Sequence, residues 1–307
     1  MYEIEFVFGG VMDGAPIVVG YDGSAGGIEA LAFAVDAARP TRSPVRLVHA
    51  WMPSRPLLRS ADDAAGLRFD DSEAAGKADL ADGVDRVRGI AADLDVSAVL
   101  VRGAAAQTLL EQAADAQMLV VGSRGRGGFA GLLLGSTGVQ VAQHATCPVV
   151  VVRPADLDVV PGPEAGRVVV GLDGSRGADE ALGFAVEYAS SRRLGLTAVL
   201  SLAIHGGGQG RGGLTSQDVL MADAESGARL LEESLAGWRE KVPDVDIRTR
   251  VDARQPAQAL VEVSVGAALL VVGSRGNGGF RSLVLGSVSH SVLHQAHVPV
   301  AVVRRQP

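Results

Sequence analysis

Short runs of almost unbroken aliphatic residues recur along this chain, each ending in glycine or polar residues and leading into a stretch with helical spacing. Pro16-Ile17-Val18-Val19-Gly20 is the first such run. It breaks at Tyr21-Asp22-Gly23-Ser24, and Ile28, Leu31, Ala32 and Val35 then share one face of a helix with Ser24 as its N-cap. Val45 to Ala50 reads as a second strand, and the prolines and charges of residues 51–72 read as a loop. A long helix is predicted from Glu73 to about Leu94, although Gly76, Gly83 and Gly89 weaken it. Val96 to Val101, Met118 to Val121 and Val149 to Val152 complete five strands, with helices over Gln107 to Ala116 and Thr137 to His144 between them. Wholly apolar strands alternating with helices mean a parallel sheet covered on both faces, with ligands at the carboxyl ends of its strands. Asp22 and Gly122 both fall at such ends.

The pattern then restarts. Residues 153–166 have linker composition, and Val168-Val169-Val170-Gly171-Leu172-Asp173-Gly174-Ser175 repeats Ile17 to Ser24. Asp22 and Asp173, Gly122 and Gly273, and Pro148 and Pro299 are each 151 residues apart, which argues for duplication of a whole domain. We therefore expect a first domain over residues 1–155, a linker over 156–165 and a second domain over 166–307. The halves differ after their second strands, where the second has the run His205 to Gly213, read as a surface loop, with a lid as the alternative.

The stretch that carries chemistry is Gly122-Ser123-Arg124-Gly125-Arg126-Gly127-Gly128, which follows Met118 to Val121 and is closed by Gly135-Ser136. It recurs as Gly273-Ser274-Arg275-Gly276-Asn277-Gly278-Gly279, closed by Gly286-Ser287. Residues 119–136 and 270–287 agree at 14 of 18 positions, so this is a retained frame, Gly-x2-Gly-x9-Gly-Ser, and not two chance turns. Glycines admit close backbone approach, and a Gly-Ser start offers amide N–H groups at a helix N-terminus, a recipe for holding phosphate.

Composition narrows the classes. With 28 Lys and Arg against 35 Asp and Glu, the net charge of -7 gives no basic nucleic-acid surface, and 4% aromatics leave few base-stacking platforms. The single Cys147 excludes an intrachain disulfide and reads as a packing residue. No run approaches a membrane span, and the acidic, signal-free start points to a soluble cytoplasmic protein. There is no Gly-x4-Gly-Lys-Ser/Thr loop and no Gly-x-Ser-x-Gly elbow. His290 and His294, with His297 nearby, read as ordinary helix residues and not as zinc ligands. Nothing supplies an activated nucleophile or its base.

The Val-Val-Gly-x-Asp-Gly-Ser opening, the Gly-x2-Gly-x9-Gly-Ser signature and the Pro-Val-x-Val-Val ending, each present in both halves, make the chain resemble a tandem universal stress protein of the two-domain actinobacterial kind. The resemblance covers residues 14–153 and 166–304. It implies two five-stranded open, Rossmann-like α/β domains that pair through their last edge strands, Val149–Val152 and Val300–Val303, within one chain, further dimerisation being left open. It implies ATP as the cofactor, with or without magnesium, since the subgroup with this signature binds ATP. Matching positions give a first site of Gly20, Asp22, Ala50, Gly122 to Gly128, Gly135, Ser136 and Thr137. They give a second site of Gly171, Asp173, Gly273 to Gly279, Gly286, Ser287 and Val288. Loop amides and the serine-started helices would take phosphates. Asp22 and Asp173 would accept hydrogen bonds from base or ribose, or else stabilise their own turns. Arg124, Arg126 and Arg275 would add charge or stay solvated. Gly103 matches the family's glycine before the third helix, whereas its counterpart is Arg254, which predicts weaker affinity at the second site. The expectation is an ATP-binding regulatory protein of the stress response without fast catalysis. A slow ATPase or phosphotransferase and a nucleotide-free scaffold are the alternatives. No stress, pathway or downstream partner follows from the sequence.

Overall fold

The computed structural model describes residues 4–8, 14–53, 72–126, 134–154, 160–202, 216–276 and 284–304. The predicted loop after the second strand, the run from His205 to Gly213, and the loop positions Gly127, Gly128, Asn277, Gly278 and Gly279 lie wholly or mainly outside them. Packing divides the chain into two compact units: Met1–Val141 with Ala145–Cys147, and Ala142–His144 with Pro148–Pro307.

The first unit contains β1 (Ile4–Phe8), β2 (Ile17–Gly20), α1 (Ala25–Ala38), β3 (Val45–Trp51), α2 (Ser72–Ile90), β4 (Val96–Arg102), α3 (Ala105–Gln112), β5 (Met118–Gly122) and most of α4 (Ser136–His144). Its strands lie in the order β1-β4-β3-β2-β5. The last four are parallel, with Val19 opposite both Leu47 and Val120. They are short apolar runs because helices cover both faces: Ile17, Val18 and Val19 are buried, as are Leu119 and Val120. β1 was not foreseen. It pairs antiparallel with β4 and covers that strand's outer edge.

α1 starts as the sequence predicts, and α2 starts where predicted but ends at Ile90, short of the expected Leu94. Ser24 caps α1, its Oγ accepting from the Gly27 amide at 3.1 Å. α2 survives its glycines for a packing reason. A methyl group at Gly76 would meet Leu100 at 2.8 Å, and one at Gly83 would meet Leu47 and Tyr21 at 2.8 and 2.9 Å. These glycines let the helix lie close on the sheet.

The second unit holds β6 (Val149–Val152), β7 (Val168–Leu172), α5 (Arg176–Arg192), β8 (Leu196–Ser201), α6 (Ser216–Lys241), β9 (Ile247–Asp252), α7 (Pro256–Val263), β10 (Leu269–Gly273), α8 (Ser287–Gln295) and β11 (Val300–Val303). The strand order is β6-β11-β10-β7-β8-β9. β6, the last strand of the first repeat, runs antiparallel to β11, with Val150 opposite Ala301. That is the edge-strand pairing the family resemblance implied. Two arginines reinforce it reciprocally. Arg153 donates to the Leu293 carbonyl near the end of α8, and Arg304 donates to the Gln143 carbonyl near the end of α4. Cations there complement the helix dipole, and residues 142–144 belong to this unit.

The entry to β7 is pinned from below. Arg167, buried, donates to the Asp246 carboxylate at 2.6 Å, the Thr197 hydroxyl at 2.9 Å and the Leu196 carbonyl at 2.7 Å. Glu164 accepts from Thr197 at 2.6 Å. The first repeat has Pro16 at the matching position and no such staple could form on it.

Candidate functional site

β5 ends at Gly122, a position where nothing larger would fit. A Cβ at Gly122 would lie 2.4 Å from the Gly26 carbonyl oxygen, and one at Gly26 would lie 2.2 Å from the Arg124 oxygen. Strand end and α1 start are thus in backbone contact. The second unit repeats this with Gly273 against Gly177 at 2.7 Å and Gly177 against Arg275 at 2.6 Å. The first glycine of the signature serves helix docking.

The second glycine serves the aspartate. A Cβ at Gly125 would stand 2.6 Å from Asp22 Oδ2, and one at Gly276 would stand 2.2 Å from Asp173 Oδ2. Asp22 accepts from the Ser24 amide at 3.0 Å and from the Ser24 hydroxyl through Oδ1, and from the Arg126 amide at 2.9 Å through Oδ2. Asp173 accepts from the Ser175 amide at 3.0 Å. Both carboxylates therefore stabilise their own turns, and Asp22 also ties the glycine loop to the end of β2. A carboxylate has about four lone-pair sites, so Asp22 keeps acceptor capacity beyond these contacts.

The third glycine closes the loop. Gly135 N–H donates to the Ser123 carbonyl at 2.7 Å, and Gly286 N–H donates to the Ser274 carbonyl at 2.8 Å. Ser123 and Ser274 are themselves buried, so they contribute carbonyls to loop closure. Gly135 and Gly286 are N-caps without a side-chain cap, and Ser136 and Ser287 are the exposed first residues of α4 and α8. First-turn amides with no capping side chain, beside a hydroxyl, are an anion-binding arrangement. Thr137 and Val288 follow, half-buried, and Gly20, Ala50 and Gly171 are half-buried at their strand ends. Arg124 and Arg275 are exposed. The described flanks of both loops therefore fit a phosphate chain.

The two crevices differ in what surrounds this frame. Arg254 is bound on its own unit: its guanidinium donates to Asp252 at 2.8 and 2.5 Å and to Glu262. The Asp252 carboxyl is held down at about 2, first by these hydrogen bonds. Ser289, where the first repeat has Gly138, sends its buried hydroxyl to the carbonyls of Ser274 and Gly286 at 3.1 and 3.0 Å.

A polar cluster that the sequence reading missed lies beside the first loop. Arg126 donates to Asp79 of α2 at 2.5 Å, and Asp79 Oδ2 stands 3.8 Å from Nδ1 of His49 on β3. His49 is 8% exposed, and burial holds its imidazole below the usual histidine range. At the same offset the second repeat has Leu200 for His49 and Leu230 for Asp79. Comparing the two repeats position by position would have exposed it.

His290 and His294 are ring neighbours, 4.6 Å between centroids. Among the described residues no group of three His, Cys, Asp or Glu side chains could hold a metal, and no helix is long and apolar enough to cross a membrane. Cys147 is buried, and burial pushes its thiol up to about 11.

Comparison with known proteins follows the duplication. The universal stress protein family matches residues 15–153 and again 164–304. The chain is 35% identical to universal stress protein Rv2623 of Mycobacterium tuberculosis H37Rv over 298 residues, covering 94% of this chain and 96% of that one. It is 34% identical to a universal stress protein of Mycolicibacterium smegmatis over 300 residues, with the same coverage. The crystal structure of a universal stress protein from Archaeoglobus fulgidus superposes with a TM-score of 0.66 at 19% identity, over 96% of this chain and all of that one, a likeness of fold.

Proposed function

The chain belongs to the universal stress protein family, and from that premise we propose that it binds an adenine nucleotide, ATP, at two glycine-loop crevices and uses the bound state as a regulatory signal. The observation that carries this reading is the pair of helix starts at Gly135-Ser136 and Gly286-Ser287. Each has no side-chain cap and is folded back on its loop through the Ser123 or Ser274 carbonyl.

In this reading the amides of the α4 and α8 first turns take the phosphates, with Ser136 and Ser287 hydroxyls beside them. ATP supplies a polyanion for these dipoles to grip. Asp22 orients the loop through the Arg126 amide and offers its remaining lone pair to the nucleoside. Gly20 and Ala50 line the strand ends where a base would lie. The second crevice is the weaker, because Arg254 replaces Gly103 and is committed to Asp252 and Glu262.

Rapid turnover is not part of the proposal. The His49 imidazole beside Asp79 is buried, and the signature brings no lysine to a terminal phosphate. Binding then biases conformation or partner choice. Mass spectrometry of small molecules released from freshly purified chain tests the reading. Adenine nucleotide at up to two per chain is expected. Its absence, together with no ATP uptake by the stripped protein, would favour the scaffold alternative. Multi-turnover hydrolysis by pure protein would favour the enzyme.

A further inference from the structure

The two repeats keep one loop frame but treat its charge differently. In the first unit the loop at residue 126 is clamped by two carboxylates. Asp22, at the end of β2, accepts from the Arg126 amide at 2.9 Å, and Asp79 on α2 accepts from its guanidinium at 2.5 Å. Gly23 leaves room for the second clamp: a methyl group there would lie 2.7 Å from Asp79 and 2.8 Å from the guanidinium. The matching Gly174 faces Leu230 instead.

Asp79 also has a second neighbour. Its Oδ2 and His49 Nδ1 are both buried, 3.8 Å apart, and among the described residues neither atom has a hydrogen-bond partner. One carboxylate thus stands between a half-exposed guanidinium and a buried imidazole. We propose that Arg126, Asp79 and His49 form a proton-linked latch on the first glycine loop. An anion in that crevice draws Arg126 off Asp79, and His49 takes up a proton to replace the lost cation. The latch rests on the nucleotide reading only for the identity of the anion.

The surroundings of His49 support this exchange. From α2 it faces Asp79, with the Gly76 backbone against its ring. From the end of β2 it faces Asp22 and the backbone of Tyr21, from the loop Arg126, and β4 brings Leu100 alongside in register. Burial favours the neutral ring, and Arg126 adds to that, while Asp79 and Asp22 favour the charged ring. Removing Arg126 leaves the two carboxylates unopposed. The bound state then has the higher imidazole pKa, so binding takes up a proton and weakens as pH rises between the free and bound values. The second unit, with Leu200 and Leu230, has no such coupling.

Two measurements on the full chain test it. The first needs no nucleotide: the His49 ring is titrated by NMR in wild type and in Arg126→Gln, a change at an exposed position. The midpoint is expected to rise by about one pH unit in the variant; an unchanged or lower midpoint overturns the latch. The second is calorimetry of ATP binding in two buffers of different ionisation heat. Wild type is expected to take up more protons than His49→Leu or Asp79→Leu, each carrying the second repeat's residue, and its Kd to rise by up to about tenfold per pH unit. Protonation of the nucleotide itself is common to all and cancels. Equal uptake in wild type and variants overturns the latch even if ATP binds well. A raised His49 midpoint in Arg126→Gln with no ATP binding would support the latch and overturn the nucleotide reading.

Discussion

Gly122 and Gly89 differ in what surrounds them, and so in what a methyl group would do. At Gly122 the added carbon would press on the Gly26 backbone, whereas at Gly89 it would meet nothing within 4 Å. Gly122→Ala is expected to destabilise the chain by about 1–3 kcal/mol, as overpacking does. Gly89→Ala, inside α2, is expected to stabilise it by about 0.5–1 kcal/mol. Urea unfolding checks both, and equal signs would contradict the packing argument. Cys147 gives a second residue-scale test. With its thiol buried and pushed up to about 11, it is expected to stay unmodified by a thiol reagent at pH 8 until the chain unfolds. The glycines were visible in the sequence as a need for close approach. What approaches the first two is the protein itself, the backbone of the first turn of α1 and the Asp22 carboxylate, which no spacing rule could distinguish from a ligand.

At the scale of elements, Ser24 and the strand runs were legible because cap chemistry and apolar runs are local. β1 was not, because its pairing with β4 is a long-range contact and its five residues carry no turn signal tying them to a partner. The polar cluster on α2 and β3 escaped for the same reason: His49 and Asp79 are 30 residues apart and meet only once α2 lies on the sheet. The Arg254 departure was legible, though its reason was not. The side chain is spent on Asp252, a buried carboxylate at the end of β9. Asp252 has a folded pKa of about 2, below its unfolded value, so its contribution is present above pH ~4 and lost as pH falls through 2. Arg254→Gly is expected to raise that pKa and move acid unfolding to higher pH, read by circular dichroism. An unchanged acid midpoint would contradict the pairing.

At the scale of the molecule, duplication supplies each repeat with an apolar final strand, and β6 finds its antiparallel partner in β11 within the second unit. A chain cut to residues 1–153 keeps β6 and loses β11. It is expected to self-associate through that edge in analytical ultracentrifugation, and a clean monomer would contradict the role given to the pairing. Whole-domain repetition was plain in the 151-residue offset, whereas the functional divergence of the two copies required seeing which substituted positions converge in space. The central claim is that two loop-and-helix cradles bind an adenine nucleotide with unequal strength. Equilibrium dialysis of ATP against the nucleotide-stripped full chain, alongside Gly135→Pro and Gly286→Pro, measures it most directly. Two sites are expected, the tighter one lost in Gly135→Pro, whose N–H no longer reaches the Ser123 carbonyl, and the weaker one lost in Gly286→Pro. No saturable binding at millimolar ATP, or binding untouched by both changes in chains that remain folded, would contradict it.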